Sequence, residues 1–312
     1  MKPAEMIWAY LIHISYNMWC DCDAPELNKM SFAKYSPSLR CDDSLWNDVT
    51  SELSKTGMNM LIIDLGDGIK YESHPEIAVE NAWPVEKLKT ELIRLRKLGL
   101  EPIPKLNFST CHDAWLGKYS RMVSTDIYYG VCKDLIDEVV SIFGNPRFFH
   151  LGMDEETAAH QKYHKYALVR QYDLWWDDLY FYIAQLEKHN VRPWVWADYI
   201  WHYEDVFLNK MPKTVLQSNW YYGLDFGDTI PPAVKAYNIL EKHKYDQVPT
   251  GSNYYIGKEE NFVKTVDYCK NAISQQYLKG FMQSVWRPTL EPTRDRHFNG
   301  IECMVDAKKR FL

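Results

Sequence analysis

The run Phe148-Phe149-His150-Leu151-Gly152-Met153-Asp154-Glu155-Glu156 changes character at its midpoint. Its first half is apolar and strand-sized, and its second half ends in three consecutive carboxylates. A buried strand that releases acidic side chains into the loop beyond it belongs to a parallel α/β sheet with its chemistry at the strand ends. Crowding carboxylates raises the pKa of at least one of them, the property that a general acid needs near neutral pH. Successive strand residues point to opposite faces. Asp154 and Glu155 therefore share a pocket only if the chain leaves the strand at Gly152. A solvated helix N-terminus, where the helix dipole favours acids, is the plainer account of the same residues.

Outward from this run, an apolar strand-like segment followed by an amphipathic one recurs every roughly 35–45 residues, the βα pattern of a parallel sheet. Strands are expected at 6–14, 58–65, 100–108, 147–151, 192–197, 214–219, 248–255 and 280–286. The spacing predicts helices from Asp43-Ser44 through Lys55, from Pro84 to Gly99, over 127–143 ending at Gly144-Asn145-Pro146, over 163–189, 232–243 and 260–273, and over 300–312. Eight strands in one composition regime fit a single-domain (β/α)8 TIM barrel across residues 1–312 better than a doubly wound sheet. No Gly-rich phosphate loop follows any strand. The first βα loop, about 15–41, is long and rich in Trp, Cys and Asp, and is expected to cover the pocket.

Composition narrows the function. With 36 Lys and Arg against 42 Asp and Glu, the net charge of −6 removes the electrostatic basis for binding nucleic acid. No apolar run approaches the ~20 residues of a membrane span. Seven cysteines, paired closely only as Cys20-Asp21-Cys22, form no disulfide framework, and no second Cys/His pair completes a metal site there. No metal or other cofactor is implied. Met1-Lys2-Pro3-Ala4-Glu5 runs into an apolar strand with no separate signal-like segment, which leaves a cytoplasmic location and export by a segment outside this sequence both open.

The unusual number is the aromatic one, 12 Trp, 22 Tyr and 12 Phe. Trp46, Trp175 and Trp176 fall on helices and read as packing residues. Trp196, Trp220 and Trp286 instead close separate strands, on the rim that also carries Asp67, Asn107, His112, Asp154, Glu155 and Asp198. Flat rings with a polar handle, interleaved with carboxylates, suit the C–H faces and hydroxyls of a carbohydrate.

His150-Leu151-Gly152-Met153-Asp154-Glu155 resembles the strand-four signature His-x-Gly-Gly-Asp-Glu of the glycoside hydrolase family 20 β-N-acetylhexosaminidases, with Met153 in place of the second glycine. Ile103-Pro104-Lys105-Leu106-Asn107 through Cys111-His112 is similar to that family's strand three, without its acids or its Pro-Gly. Leu61-Ile62-Ile63-Asp64-Leu65-Gly66-Asp67 looks like its strand two. The resemblance implies a retaining exo-β-N-acetylhexosaminidase in which the substrate's 2-acetamido oxygen replaces an enzyme nucleophile. It implies Glu155 as general acid and base and Asp154 as the group that orients the acetamido and stabilises its positive charge. It further implies Trp196, Trp220 and Trp286 as pocket walls, and a strand-seven tyrosine, Tyr255 before Tyr254, as donor to the acetamido oxygen. His112, backed by Asp67, is expected to bond Glu155. The ligand is expected to be a terminal N-acetylhexosamine. Two departures stand out. The strand-one arginine is missing from Ile12-His13-Ile14-Ser15-Tyr16-Asn17, and Arg287-Pro288 replaces a glutamate after the strand-eight tryptophan, so His13, Asn17, Asp198 and Arg287 are candidate substitutes for hydroxyl recognition. The competing readings are a divergent, non-catalytic glycan-binding barrel and a metal-dependent hydrolase using His150, Asp154, Glu155 and His160.

Overall fold

The computed structural model describes residues 5–227 and 230–311. Eight parallel strands are β1 (Ile7–His13), β2 (Met60–Asp64), β3 (Glu101–Lys105), β4 (Phe148–His150), β5 (Arg192–Trp196), β6 (Leu216–Ser218), β7 (Thr250–Ser252) and β8 (Gly280–Ser284). They pair in the order β6-β5-β4-β3-β2-β1-β8-β7. Between β6 and β7 only isolated bridges, Gln217 with Gln247 and Trp220 with Thr250, bring the ends together into a barrel. The structure is a (β/α)8 barrel.

Helices α1 (Asp43–Lys55), α2 (Val85–Lys97), α3 (Asp126–Phe143), α4 (Asp173–Glu187), α5 (Glu204–Lys210), α6 (Pro232–Lys242), α7 (Asn261–Ala272) and α8 (Arg294–Phe311) follow the strands in turn. None of the described helices is long and apolar enough to cross a membrane. The expected helix over 163–189 is corrected: regular helix begins only at Asp173, because Arg170 is held by buried carboxylates in an irregular loop. The short α5 had no clear periodic signal, and α8 begins earlier than expected, at Arg294.

Strand residues alternate between two apolar layers. Ile7, Ala9, Leu11, Met60, Ile62, Ile103, Phe148 and Trp194 fill the barrel interior. Trp8, Tyr10, Ile12, Leu61 and Ile63 face the helices, where Trp46, Trp175 and Trp176 also pack. Continuous apolar runs are what burial on both faces requires. At the C-terminal ends the interior turns polar: His13 is in register with Asp64, Asp64 with Lys105, and Lys105 with His150. Lys105 Nζ lies 2.5 Å from Asp64 Oδ2, and His13 Nδ1 lies 3.3 Å from the same oxygen. Burial lowers the pKa of both histidines, so they sit neutral in this layer. The His13 ring touches Trp286 and the His150 ring touches Trp196, with centroids 5.4 and 4.6 Å apart. The layer is the floor of the cavity above.

Candidate active site

A cavity of about 230 Å³ opens at the C-terminal end of the strands. Trp196 closes β5, while Trp220 and Trp286 each stand two residues beyond their strands, and all three line it with Trp19 from the first loop. Tyr222, Tyr254 and Tyr255 form a second wall, and His112, Asp154 and Glu155 a third. The Trp196 and Trp286 rings lie 6.0 Å apart.

The carboxylates reach one cavity because the chain turns sharply after β4. Gly152, Met153 and Glu155 all take the left-handed backbone conformation, with φ of 73°, 72° and 54°. Gly152 is required there twice over: a Cβ would also fall 1.9 Å from Asn107 Oδ1. Met153 bears the left-handed cost of about 1–2 kcal/mol, offset by a side chain buried in the core against Arg170. Asn107 braces the turn, accepting from the backbone N–H groups of Ser109 and Met153 at 3.0 and 3.3 Å and donating to Asp154 Oδ1 at 2.9 Å. The third acid, Glu156, is turned away from the cavity, since Arg170 Nη2 donates to its Oε2 at 2.5 Å while Nη1 donates to Asp178 at 2.8 Å.

His112 joins the two remaining acids. Its Nδ1 lies 3.1 Å from Asp154 Oδ1 and its Nε2 lies 3.5 Å from Glu155 Oε2. Burial by itself would depress the imidazole, but the charge and hydrogen bond of Asp154, with Glu155 beyond, raise its pKa to about 10. Burial opposes ionisation of Asp154 in turn, and the His112 charge outweighs it and holds the carboxyl well below its ordinary range. At neutral pH the pair is imidazolium and carboxylate. His112, Asp154 and Glu155 are also the one group of three ligand-type side chains, within 4.8 Å of one another, that offers a metal ion a shared site among the described residues. A carboxyl oxygen and the imidazole already paired by charge leave that site less open than its geometry suggests.

At the level of sequence, no family model and no curated protein matches the chain. In structure the chain is similar to the β-N-acetylhexosaminidase of Bacteroides fragilis NCTC 9343, with 15% identity, 97% of this chain and 65% of that one covered, and a TM-score of 0.66. It is similar to a mutant Streptomyces plicatus β-hexosaminidase in complex with the product GlcNAc, at 13% identity, 97% and 64% coverage, and a TM-score of 0.66. It is also similar to Dispersin B, at 14% identity, 97% and 98% coverage, and a TM-score of 0.59. The chain has the fold of the β-N-acetylhexosaminidase barrels. It spans less than two thirds of the two hexosaminidase chains and nearly all of Dispersin B.

Within this hexosaminidase-type barrel the remaining expected residues take different places. Tyr255 lines the cavity but is 50% exposed at its mouth, and Tyr254 lies deeper. Tyr222, which the sequence reading passed over, is half-buried in the wall, where its hydroxyl accepts from Trp286 Nε1 at 2.8 Å. Its position two residues after Trp220 was the available signal. Asp198 does not border the cavity. Its Oδ2 accepts from the Glu155 backbone N–H at 2.9 Å, and burial, with the nearby Asp154 charge, raises its pKa to about 8. The expected pairing of Asp67 with His112 is corrected: Asp67 accepts from Ser15 Oγ and from Asn17 Nδ2, and so ties down the first loop. His150 is enclosed in the barrel floor, with Nδ1 accepting from the Gly152 N–H, and does not join Glu155 in a ligand set; His160 Nε2 stands 3.6 Å from Glu155 Oε1. Cys20 and Cys22 are free thiols that donate to the Tyr163 carbonyl.

Proposed function

We propose that this chain is a glycoside hydrolase that removes a terminal β-linked N-acetylhexosamine with retention, using the substrate's own acetamido group. The observation that carries the reading is the convergence of Asp154, Glu155 and His112 on an aromatic-walled cavity. A cavity of about 230 Å³ is small for a ligand pocket, and suits one sugar ring better than a chain.

In this mechanism Glu155 donates its proton to the leaving glycosidic oxygen as the acetamido oxygen attacks the anomeric carbon. The product of that step is a cyclic oxazolinium, and Glu155, now a carboxylate, takes a proton from the water that opens it. Asp154, kept ionised by His112 and braced by Asn107, accepts from the acetamido N–H and stabilises the positive charge that develops there. Tyr222 is the better-placed hydroxyl for the acetamido oxygen, because Trp286 Nε1 fixes its oxygen from the cavity wall and Ser284 Oγ, 3.3 Å away, is the partner that the acetamido oxygen would replace as acceptor. Trp196 Nε1 is buried without a partner beside the same space and supplies a further donor. The Trp196, Trp220 and Trp286 rings exclude water from the cation.

The test is release of nitrophenol from aryl N-acetyl-β-glucosaminide and galactosaminide. Hydrolysis that disappears in Glu155→Gln and is inhibited by a thiazoline mimic of the cyclic intermediate is the expected result. Sugar binding without turnover across the panel would overturn it.

A further inference from the structure

Beyond β7 and β8 stand two arginines whose donors the described residues leave partly unused: Arg287, which has no carboxylate partner, and Arg296, whose charge is met on one side by Glu259. Arg287 follows Trp286, and its guanidinium is clamped between the Phe32 and Tyr254 rings, 4.4 and 4.9 Å from their centroids. It donates only to the backbone carbonyls of Trp286 and Tyr254, and no carboxylate among the described residues lies within ion-pair distance of it. Arg296, in the first turn of α8, has Nη1 at 3.2 Å from Glu259, but its Nε and Nη2 are buried with no partner. Burial lowers the Arg287 pKa, and the like charge of Arg296 adds to that effect.

Arginine stays protonated in such settings, so unpaired buried guanidinium N–H groups are costly unless an acceptor meets them. Two guanidiniums, one restrained by flanking rings, offer the forked donors that an oxyanion matches bidentately. The first turn of a long helix adds a favourable dipole. Barrels of this class frequently bind phosphate groups in the loops after strands seven and eight. Tyr254, which Arg287 stacks on, is also a wall of the cavity.

We propose that Arg287 and Arg296 form a recognition site for an oxyanion ester, sulfate or phosphate, carried by the glycan that enters the cavity. The assignment rests on the glycosidase reading for its substrate, though not for the anion site itself.

Two measurements test it on the full chain. In the first, kcat/KM is compared for a neutral aryl N-acetyl-β-glucosaminide and its O-sulfo and O-phospho derivatives at C3, C4 and C6. An anionic substrate is expected to be preferred by about 10- to 100-fold, the range for charge-assisted bonds. That ratio falls towards one in Arg287→Gln and Arg296→Gln, and the better ester identifies the source. In the second, inorganic sulfate and phosphate raise the Tm of the parent chain and not of Arg287→Gln. Arg287→Lys, which keeps the charge and loses the fork, retains only part of either effect and carries the test if Arg296→Gln does not fold. A ratio at or below one without an anion-dependent Tm shift overturns the proposal, as does a preference that both arginine variants keep. Stabilisation by anions with no hydrolysis of any substrate would instead sink the glycosidase reading and leave the oxyanion site standing.

Discussion

Gly152→Ala puts the carboxylate turn under a defined load. The new Cβ would stand 1.9 Å from Asn107 Oδ1, 2.2 Å from its Cγ and 2.8 Å from its Cα, so the Asn107 side chain must swing away. Three hydrogen bonds go with it: to Asp154, and from the N–H groups of Ser109 and Met153. The bond to ionised Asp154 is worth about 1.5–3 kcal/mol and each of the others about 1 kcal/mol. Alanine at a φ of 73° adds about 1–2 kcal/mol. The total, about 4.5–7 kcal/mol, is a large share of a typical domain's stability and corresponds to a fall in Tm of about 7–11 °C. The assay is thermal unfolding of Gly152→Ala, Asn107→Ala and the double variant. Since Asn107→Ala removes both Oδ1 and Cγ, the glycine change is expected to cost less than half as much in that background, the residue of the cost coming from φ and the approach to the Asn107 backbone. Additive costs in the two backgrounds would refute the reasoning.

Four further outcomes follow from the same geometry. In His112→Gln the Asp154 carboxyl loses the charge that depresses it, so the acid limb of kcat/KM moves up towards the ordinary carboxylate range; a limb that stays in place in pH–rate profiles would contradict this. Because His112 is raised to about 10, its stabilising contribution is complete below pH ~6.5 and is lost as pH rises through about 10, so the Tm of the parent chain, and not of His112→Gln, falls over that window. Asp198→Asn keeps an acceptor for the Glu155 N–H and retains most of kcat, whereas Asp198→Leu loses about 10²-fold with KM little changed, measured by steady-state kinetics. Arg170→Met strands two buried carboxylates, Glu156 and Asp178, and costs about 3–5 kcal/mol in chemical denaturation.

The barrel was legible because burial on both faces writes strands as unbroken apolar runs, and Ile7–His13, Met60–Asp64 and Gly280–Ser284 lie within the stretches expected from them. The β4 run located Asp154 and Glu155 and the turn at Gly152. What stayed hidden was set by tertiary contact rather than by local pattern. Asp67 lies in the right segment, yet its partners Ser15 and Asn17 are some fifty positions away in sequence and leave no local trace. Asp198 carries a carboxyl that acts on a backbone N–H of another strand's loop, and a sequence registers only the carboxyl. The 163–172 stretch has helical spacing, but the Arg170 ion pairs with Glu156 and Asp178 override propensity there.

The weak closure between β6 and β7 bears on how tightly this protein grips its ligand. Three backbone hydrogen bonds, from Gln217, Val248 and Thr250, span that seam, where the β1–β2 ladder matches five residues on each side. Trp220 and Tyr222 hang from one lip of the seam, and Tyr254 and Tyr255 from the other. The aromatic walls thus face each other across the seam that only isolated bridges close, while Asp154 and Glu155 follow β4, which is matched to three residues of β5 and one of β3. Under the proposed function, the spacing of the aromatic walls can change at that seam without breaking the β4–β5 ladder behind the proton donor.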